Sequence, residues 1–313
     1  MLQPSDLEQI IVSTVQYYDL FACPLSVYQL WLYLHNPDAG QYSGIASVTL
    51  AELQDTLASS SYVRSHLITA HGLHALSGRQ HLLDAFQQRS QQAARYWKRA
   101  RTYIAIYRFF PFIRMLGVSG SLALDNARVE SDIDIFTVCR SKRIWMTRML
   151  VVGFARLTGM YRTDRKTAGK LCFNHFVTMD GLQIDHQTLY TAHLFSHLVP
   201  GYGHETYRHF QQHNLWIRRY VPKYPWYLYP PFPVYEDTFV SRLVKRSAEL
   251  LLGGWFGDIV ENVCKKIQLH RIARDRRRLA PSAQVVTTDA CLRFHLESQE
   301  IATLTTLASH KDK

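Results

Sequence analysis

One short stretch restricts the fold and chemistry of this chain more than any other. Gly120-Ser121 is followed by ten residues, Leu122 to Ser131, and then by Asp132-Ile133-Asp134 at the head of an apolar run reaching Val138. The preceding run, Ile113 to Ser119, is also apolar, so the segment predicts strand, tight turn, short helix, strand. Gly120 has no Cβ, which lets a phosphate approach the backbone. Ser121 adds a hydroxyl and opens a helix whose free N–H groups attract anions. On a strand, residues i and i+2 share a face about 7 Å apart along the chain. Asp132 and Asp134 therefore point together while Ile133 and Ile135 turn into the core. Carboxylates so placed repel and raise each other's pKa. Divalent cations relieve that repulsion, and Mg²⁺ takes carboxylate oxygens together with substrate phosphates.

A third acid follows from register. After a helix predicted over Ile144 to Leu157 come two strand signals, Cys172–Met179 and Leu182–Gln187, separated by the hairpin pair Asp180-Gly181. A two-residue turn there pairs Met179 with Leu182, Val177 with Ile184 and Phe176 with Asp185. Asp185 then shares a polar face with Asn174, Thr178, Gln183 and Gln187. If the strands are neighbours in one sheet, that face meets Asp132 and Asp134, and three carboxylates converge beside a phosphate-binding turn. The same register sets His175 opposite His186 on the core side. With no third ligand at hand, these read as buried, hydrogen-bonded histidines rather than a zinc site.

The constellation resembles the DNA polymerase β-like nucleotidyltransferase superfamily, in its minimal nucleotidyltransferase form. That signature is Gly-Ser, ten residues, Asp-x-Asp, and an acid on a later strand, the place that Asp185 fills in LQIDHQ. The resemblance covers about 70 of the 313 residues. It implies transfer of a nucleoside monophosphate from an NTP, ATP by default, to an acceptor, with release of pyrophosphate. By the same resemblance, Gly120 and Ser121 hold the β- and γ-phosphates, and Asp132 and Asp134 bind two Mg²⁺ ions, for which Mn²⁺ can substitute. Asp185 ligates the catalytic ion and helps activate the acceptor hydroxyl. Asn174, on the same face, is a candidate contact to ribose or acceptor. Minimal members often continue Gly-Ser with Arg and Gly. Here Leu122-Ala123-Leu124-Asp125 follows, which leaves the phosphate charge to Arg128 or to basic residues from another domain.

Composition fits a phosphate-bearing partner without choosing one. Lys and Arg number 36 against 25 Asp and Glu, for a formal charge of +11. With 47% hydrophobic residues, the disordered and low-complexity classes are excluded. Five cysteines, none in a C-x-x-C pair, argue against a disulfide framework. The N-terminus has no basic region of a secretory signal, and no apolar run approaches the ~20 residues that span a bilayer. The expectation is a cytoplasmic protein with no membrane partner.

The flanks predict an α+β chain in four parts: a winged-helix-like region over 1–79, a long linking helix over 80–111, the nucleotidyltransferase-type mixed sheet with helices over 112–199, and a helical C-terminal region over 200–313. In the first part, Leu7, Ile10, Ile11 and Val15 have helical spacing, Pro24 opens a second helix, and Thr49 with Glu52 forms a capping box before a third. Two short strands follow in LITAHGLHALSGR. The third helix carries Glu52 and Asp55 and no Lys or Arg, so specific DNA reading is disfavoured relative to packing or protein contact. In the last part, helices are predicted over 189–198, 204–219 and 237–278, and the tail from 286 has helical spacing at Leu292, Leu296, Ile301 and Leu304. The basic run Lys265 to Arg278 reads as a solvated helix end more readily than as an anion site. The aromatic group from Trp216 to Tyr235 reads as a packed, proline-rich connector more readily than as a stacking platform. The acceptor is open: a small molecule, a protein hydroxyl or an RNA end. Two rivals share these features. One is an antitoxin-type protein adenylyltransferase. The other is a catalytically dead nucleotidyltransferase fold serving as a DNA- or protein-binding module.

Overall fold

A computed structural model describes residues 3–224, 233–275, 279–280, 283–295 and 303. The chain is α+β, with two sheets and helices on both faces of the larger one. The N-terminal body runs α1 (Pro4–Asp19), β1 (Leu25–Ser26), α2 (Val27–Leu32), α3 (Leu50–Ser59), α4 (Ser61–His66), β2 (Leu67–Ala70) and β3 (Leu73–Leu76). Its sheet is antiparallel, in the order β1-β3-β2. The Thr49–Glu52 box forms as the residue types dictate: Thr49 Oγ1 accepts from the Glu52 N–H, and Glu52 accepts from the Thr49 N–H at 2.6 Å. Four helices are present rather than three. Ser60 caps the extra one, α4, through the Val63 N–H. Ile10, Ile11, Leu30, Leu53 and Val63 fill the core of this body.

α5 (Gln80–Tyr107) is one continuous helix of 28 residues. It leads into β4 (Ile113–Ser119), the single turn α6 (Gly120–Ala123), β5 (Ile133–Cys139), α7 (Ile144–Leu157) and β6 (Leu171–Thr178). Then come α8 (Leu189–Ser196), β7 (Val199–Tyr202), α9 (His204–His213), α10 (Phe239–Leu252), α11 (Trp255–Arg274), β8 (Gln284–Thr287) and β9 (Cys291–His295). The larger sheet has six strands in the order β7-β4-β5-β6-β9-β8. β5 and β6 are parallel and every other pair is antiparallel. α5 and α7 pack on one face, α8 and α9 on the other. No described helix is long and apolar enough to cross a membrane. All five cysteines are free thiols.

Three expectations are corrected. The sheet does not stop at residue 199, because β7, β8 and β9 all belong to it. The tail segment 284–295 is a β-hairpin with Leu292 fully buried, not a helix; Leu296, Ile301 and Leu304 lie outside the described residues. Most important for the site, Leu182–Gln187 is not a strand. Met179–Gly181 forms a 3-10 turn, and β9 takes the edge of β6 that the expected hairpin would have used. The buried side chain of Asn214 does the work of a strand partner: its Oδ1 accepts from the Ile184 N–H at 2.9 Å and its Nδ2 donates to the Leu182 carbonyl at 2.8 Å. Leu182 and Ile184 are therefore buried without a ladder.

Candidate active site

β4 ends at Ser119, which pairs with Asp134 in the sheet. The chain must then turn sharply away from the strand, and Gly120 does so at φ +69°. A Cβ there would lie 2.5 Å from Asp134 Oδ2, so the turn and the acid share one space. α6 is a single turn, which leaves it little helix dipole with which to attract an anion. Ser121 donates to Ser131 Oγ at 3.4 Å, and Ser131 Oγ accepts from the Arg128 N–H at 2.9 Å, closing the loop that leads to the acids.

Asp132 and Asp134 lie together at the head of β5, as the alternation requires, and β6 supplies their neighbours. Asp134 pairs in register with Cys172, and Asn174 Nδ2 donates to Asp134 Oδ1 at 2.8 Å. Ligand atoms of Asp132, Asp134 and Cys172 fall within 4.8 Å of one another, the one such group among the described residues. Burial, and then the charge of Asp132, push the Asp134 carboxyl up to about 7; contacts with Cys172, Arg162 and Asn174 act the other way. Arg162, from the loop before β6, sits on Asp132 Oδ2 at 2.5 Å. The oxygen pair suits a hard divalent cation. Cys172 does not, since burial raises its thiol pKa and a thiol is a poor ligand for Mg²⁺.

Asp185 does not join this group. It is exposed on irregular chain, and its charge acts on Cys291, which pairs with Val177 near the far end of β6. That point is five residues, about 17 Å, along the strand from Cys172. The position facing Asp134 belongs to Asn174. His186 is likewise exposed and does not oppose His175. His175 is buried against Phe136 and Phe195, with Nε2 3.7 Å from Cys291 Sγ, as a packed core histidine.

A cavity of about 1530 Å³ opens around the acids and takes in Gly120, Ser121, Arg128 and Asn174. Its other walls carry more cations than acids, with Asp164 and Asp275 among them. The loop between α7 and β6 contributes Arg162, Lys166 and Lys170, α7 contributes Arg148 and Arg156, and α11 contributes Arg271. Arg148 lies over the Phe294 ring at 4.3 Å and donates to Gln268 Oε1 at 2.6 Å. Burial lowers its pKa to about 10. The sequence points for this charge to Arg128 or another domain; the loop supplies it as well, and RTDRKTAGK just before β6 is a basic cluster visible in the sequence. Of the basic run in α11, Arg271 reaches the cavity, while Arg276 to Arg278 lie outside the described residues. In the aromatic group, Trp216 and Tyr224 are buried core residues, and Trp226 to Phe232 lie outside the described residues. The remaining wall comes from the N-terminal body: Tyr17 and Tyr18 contact His193, Tyr18 also contacts His197, and Phe21 lies near Tyr190. No known protein family, curated protein or solved structure matches the chain. The family resemblance rests on the spacing of Gly120-Ser121 and Asp132-Ile133-Asp134.

Proposed function

We propose that the chain is a nucleotidyltransferase. In this reading it binds a nucleoside triphosphate, ATP by default, against the Gly120-Ser121 turn and transfers the nucleotidyl group to an acceptor hydroxyl with release of pyrophosphate. The larger sheet is then a nucleotidyltransferase-type sheet, and the helices and three-stranded sheet of the N-terminal body form a winged-helix-like module that walls the cavity. The observation that carries the reading is the convergence of Asp132 and Asp134 on a positive-φ glycine inside a cavity lined by Arg and Lys. Asp132 and Asp134 would hold Mg²⁺ or Mn²⁺, which supplies charge neutralisation for the triphosphate. With Asn174 in place of a third acid, the protein oxygens at hand serve one ion better than two. Arg162 must release Asp132 when that ion binds, and its guanidinium is then free to pair with a phosphate. Specific DNA reading is not part of the proposal, because the exposed face of α3 presents Glu52 and Asp55.

A second reading is favoured by the same details. Asn174 on Asp134, Arg162 on Asp132 and the distance to Asp185 fit a site that binds a polyphosphate without turning it over. Incubation with each α-labelled NTP and Mg²⁺ in cell extract separates the two. Label on an acceptor, with pyrophosphate released and both lost in Asp132→Asn, supports transfer. Thermal stabilisation by Mg²⁺ and a non-hydrolysable NTP without pyrophosphate release supports the binding module. No stabilisation at saturating ligand rejects both.

A further inference from the structure

The two C-terminal helices keep polar anchors inside and leave apolar stripes in water. On α10, Ser241, Lys245 and Glu249 recur every four residues and face the body. Lys245 Nζ donates to the Ile113 carbonyl at 3.1 Å and to the Tyr202 hydroxyl, and Glu249 accepts from the Phe112 N–H and from Arg114. The opposite side carries Phe239, Leu243, Leu250 and Leu251, which are 56% to 83% exposed. α11 repeats the pattern. Glu261, Cys264 and Gln268 face inward, while Trp255, Ile259, Val263 and Ile267 recur every four residues on the outside at 42% to 77% exposure. A surface helix ordinarily leaves its polar face, not an apolar stripe, in water. The two helices touch, and their outward side leaves eight large apolar side chains 42% to 83% exposed, more than the single scattered apolar residues that a monomer's surface ordinarily shows.

We propose that this face docks on an anionic lipid surface. Charge selects that occupant. At 100° per residue, Arg242 and Arg246 border one edge of the apolar stripe of α10, Lys266 lies within the outward face of α11, and Arg274 continues that face past Ile267. All four are exposed. Among the described residues of the two helices, Asp258 is the one exposed acid, and Arg143 already pairs with it at 2.8 Å. An apolar stripe with Trp and Phe, bordered by Arg and Lys, is the pattern of a helix lying in the headgroup boundary, with each cation adding about 1 kcal/mol near an anionic leaflet. A second copy of the chain fits less well. A twofold contact sets each patch on itself, and four cations per copy would then meet no free acid on the partner's two helices. Docking of this kind needs no spanning helix, so it adds a peripheral contact that the sequence expectation of no membrane partner left out. This inference does not rest on the proposed function, since none of these outward residues lines the cavity.

Cosedimentation of the full chain with vesicles tests it, using phosphatidylcholine alone and phosphatidylcholine with phosphatidylserine. Binding is expected to be at least about tenfold tighter to the mixed vesicles and to fall as salt rises. Leu250→Glu and Trp255→Glu, at solvent-facing positions, are each expected to weaken it by about tenfold with unchanged far-ultraviolet circular dichroism. Arg242→Glu combined with Arg246→Glu is expected to remove the preference for phosphatidylserine. No binding, equal binding to both vesicles, or binding indifferent to these changes overturns the proposal. So does a particle of twice 36.3 kDa in sedimentation velocity that Leu250→Glu splits into monomers, which would assign the face to a second copy.

Discussion

Gly120 and Asp134 compete for the same few ångströms, and that competition defines the site at the scale of single residues. Any side chain at Gly120 meets two penalties: a backbone at φ +69° that L residues rarely adopt, and an Asp134 oxygen where the Cβ would stand. Gly120→Ala is therefore expected to lose about 1–2 kcal/mol of stability and to displace Asp134, weakening Mn²⁺ binding by at least about tenfold. Titration calorimetry reads the second effect, and an unchanged Mn²⁺ affinity would detach the turn from the metal site. Asp134 itself predicts an unusual pH response in metal-free buffer. Its folded-state pKa, about 7, lies above the ordinary carboxylate value of 3.8. The folded chain thus binds this proton more tightly than the unfolded chain, and stability is lost as pH rises from about 4 to about 7. Asp134→Asn removes that loss. The variant should melt above the wild type at pH 8, with the advantage gone below pH 4. Parallel melting curves across the range would contradict a raised carboxylate.

At the scale of elements, the helices were legible in the sequence, whereas the contacts that place them were not. Periodicity and the Thr49–Glu52 box located α1, α3, α5 and α7, because those signals lie within a few residues of each other. The start of α7 is fixed from 115 residues away: Glu261 of α11 accepts the N–H groups of Trp145 and Met146, both at 2.8 Å. These are buried donors with no intrahelical partner. Glu261→Ala should therefore cost about 2–3 kcal/mol in a urea titration, and a loss below ~0.5 kcal/mol would show that water serves those donors. Long-range substitution also explains the misplaced third acid. Asp180-Gly181 is a sound hairpin signal, but Asn214 satisfies the chain after it and β9 occupies the edge it would have used. The pair Asp132 and Asp134 was legible because strand alternation alone brings them together. Of the cationic walls, the RTDRKTAGK cluster was visible, but its meeting with α7 and α11 was not, since these elements come together only in the fold.

The whole molecule is held across the cavity by a seam of aromatic and imidazole rings between the N-terminal body and the α8 region. The Tyr18 hydroxyl lies 3.0 Å from His193 Nδ1 and 2.6 Å from His197 Nε2, His35 Nδ1 lies 3.1 Å from His193 Nε2, and Tyr17 stacks on His193 at 4.1 Å. Burial, with His35 and His197 alongside, holds His193 well below its ordinary value of 6.5, and burial takes His197 down to about 3. Both rings are neutral in the folded chain at every pH where the unfolded chain would begin to protonate them. The unfolded state therefore gains protons first, and stability falls as pH drops below about 6.5. Asp134 acts in the opposite sense over much of the same window, so the seam is best read in the Asp134→Asn background. There, the urea midpoint is expected to fall steadily from pH 7 to pH 4.5. Adding His197→Gln should lower stability at pH 8, where a hydrogen bond to Tyr18 is disturbed, yet flatten the decline toward acid, because one titrating ring has gone. If the decline keeps its slope without His197, the acid sensitivity arises elsewhere.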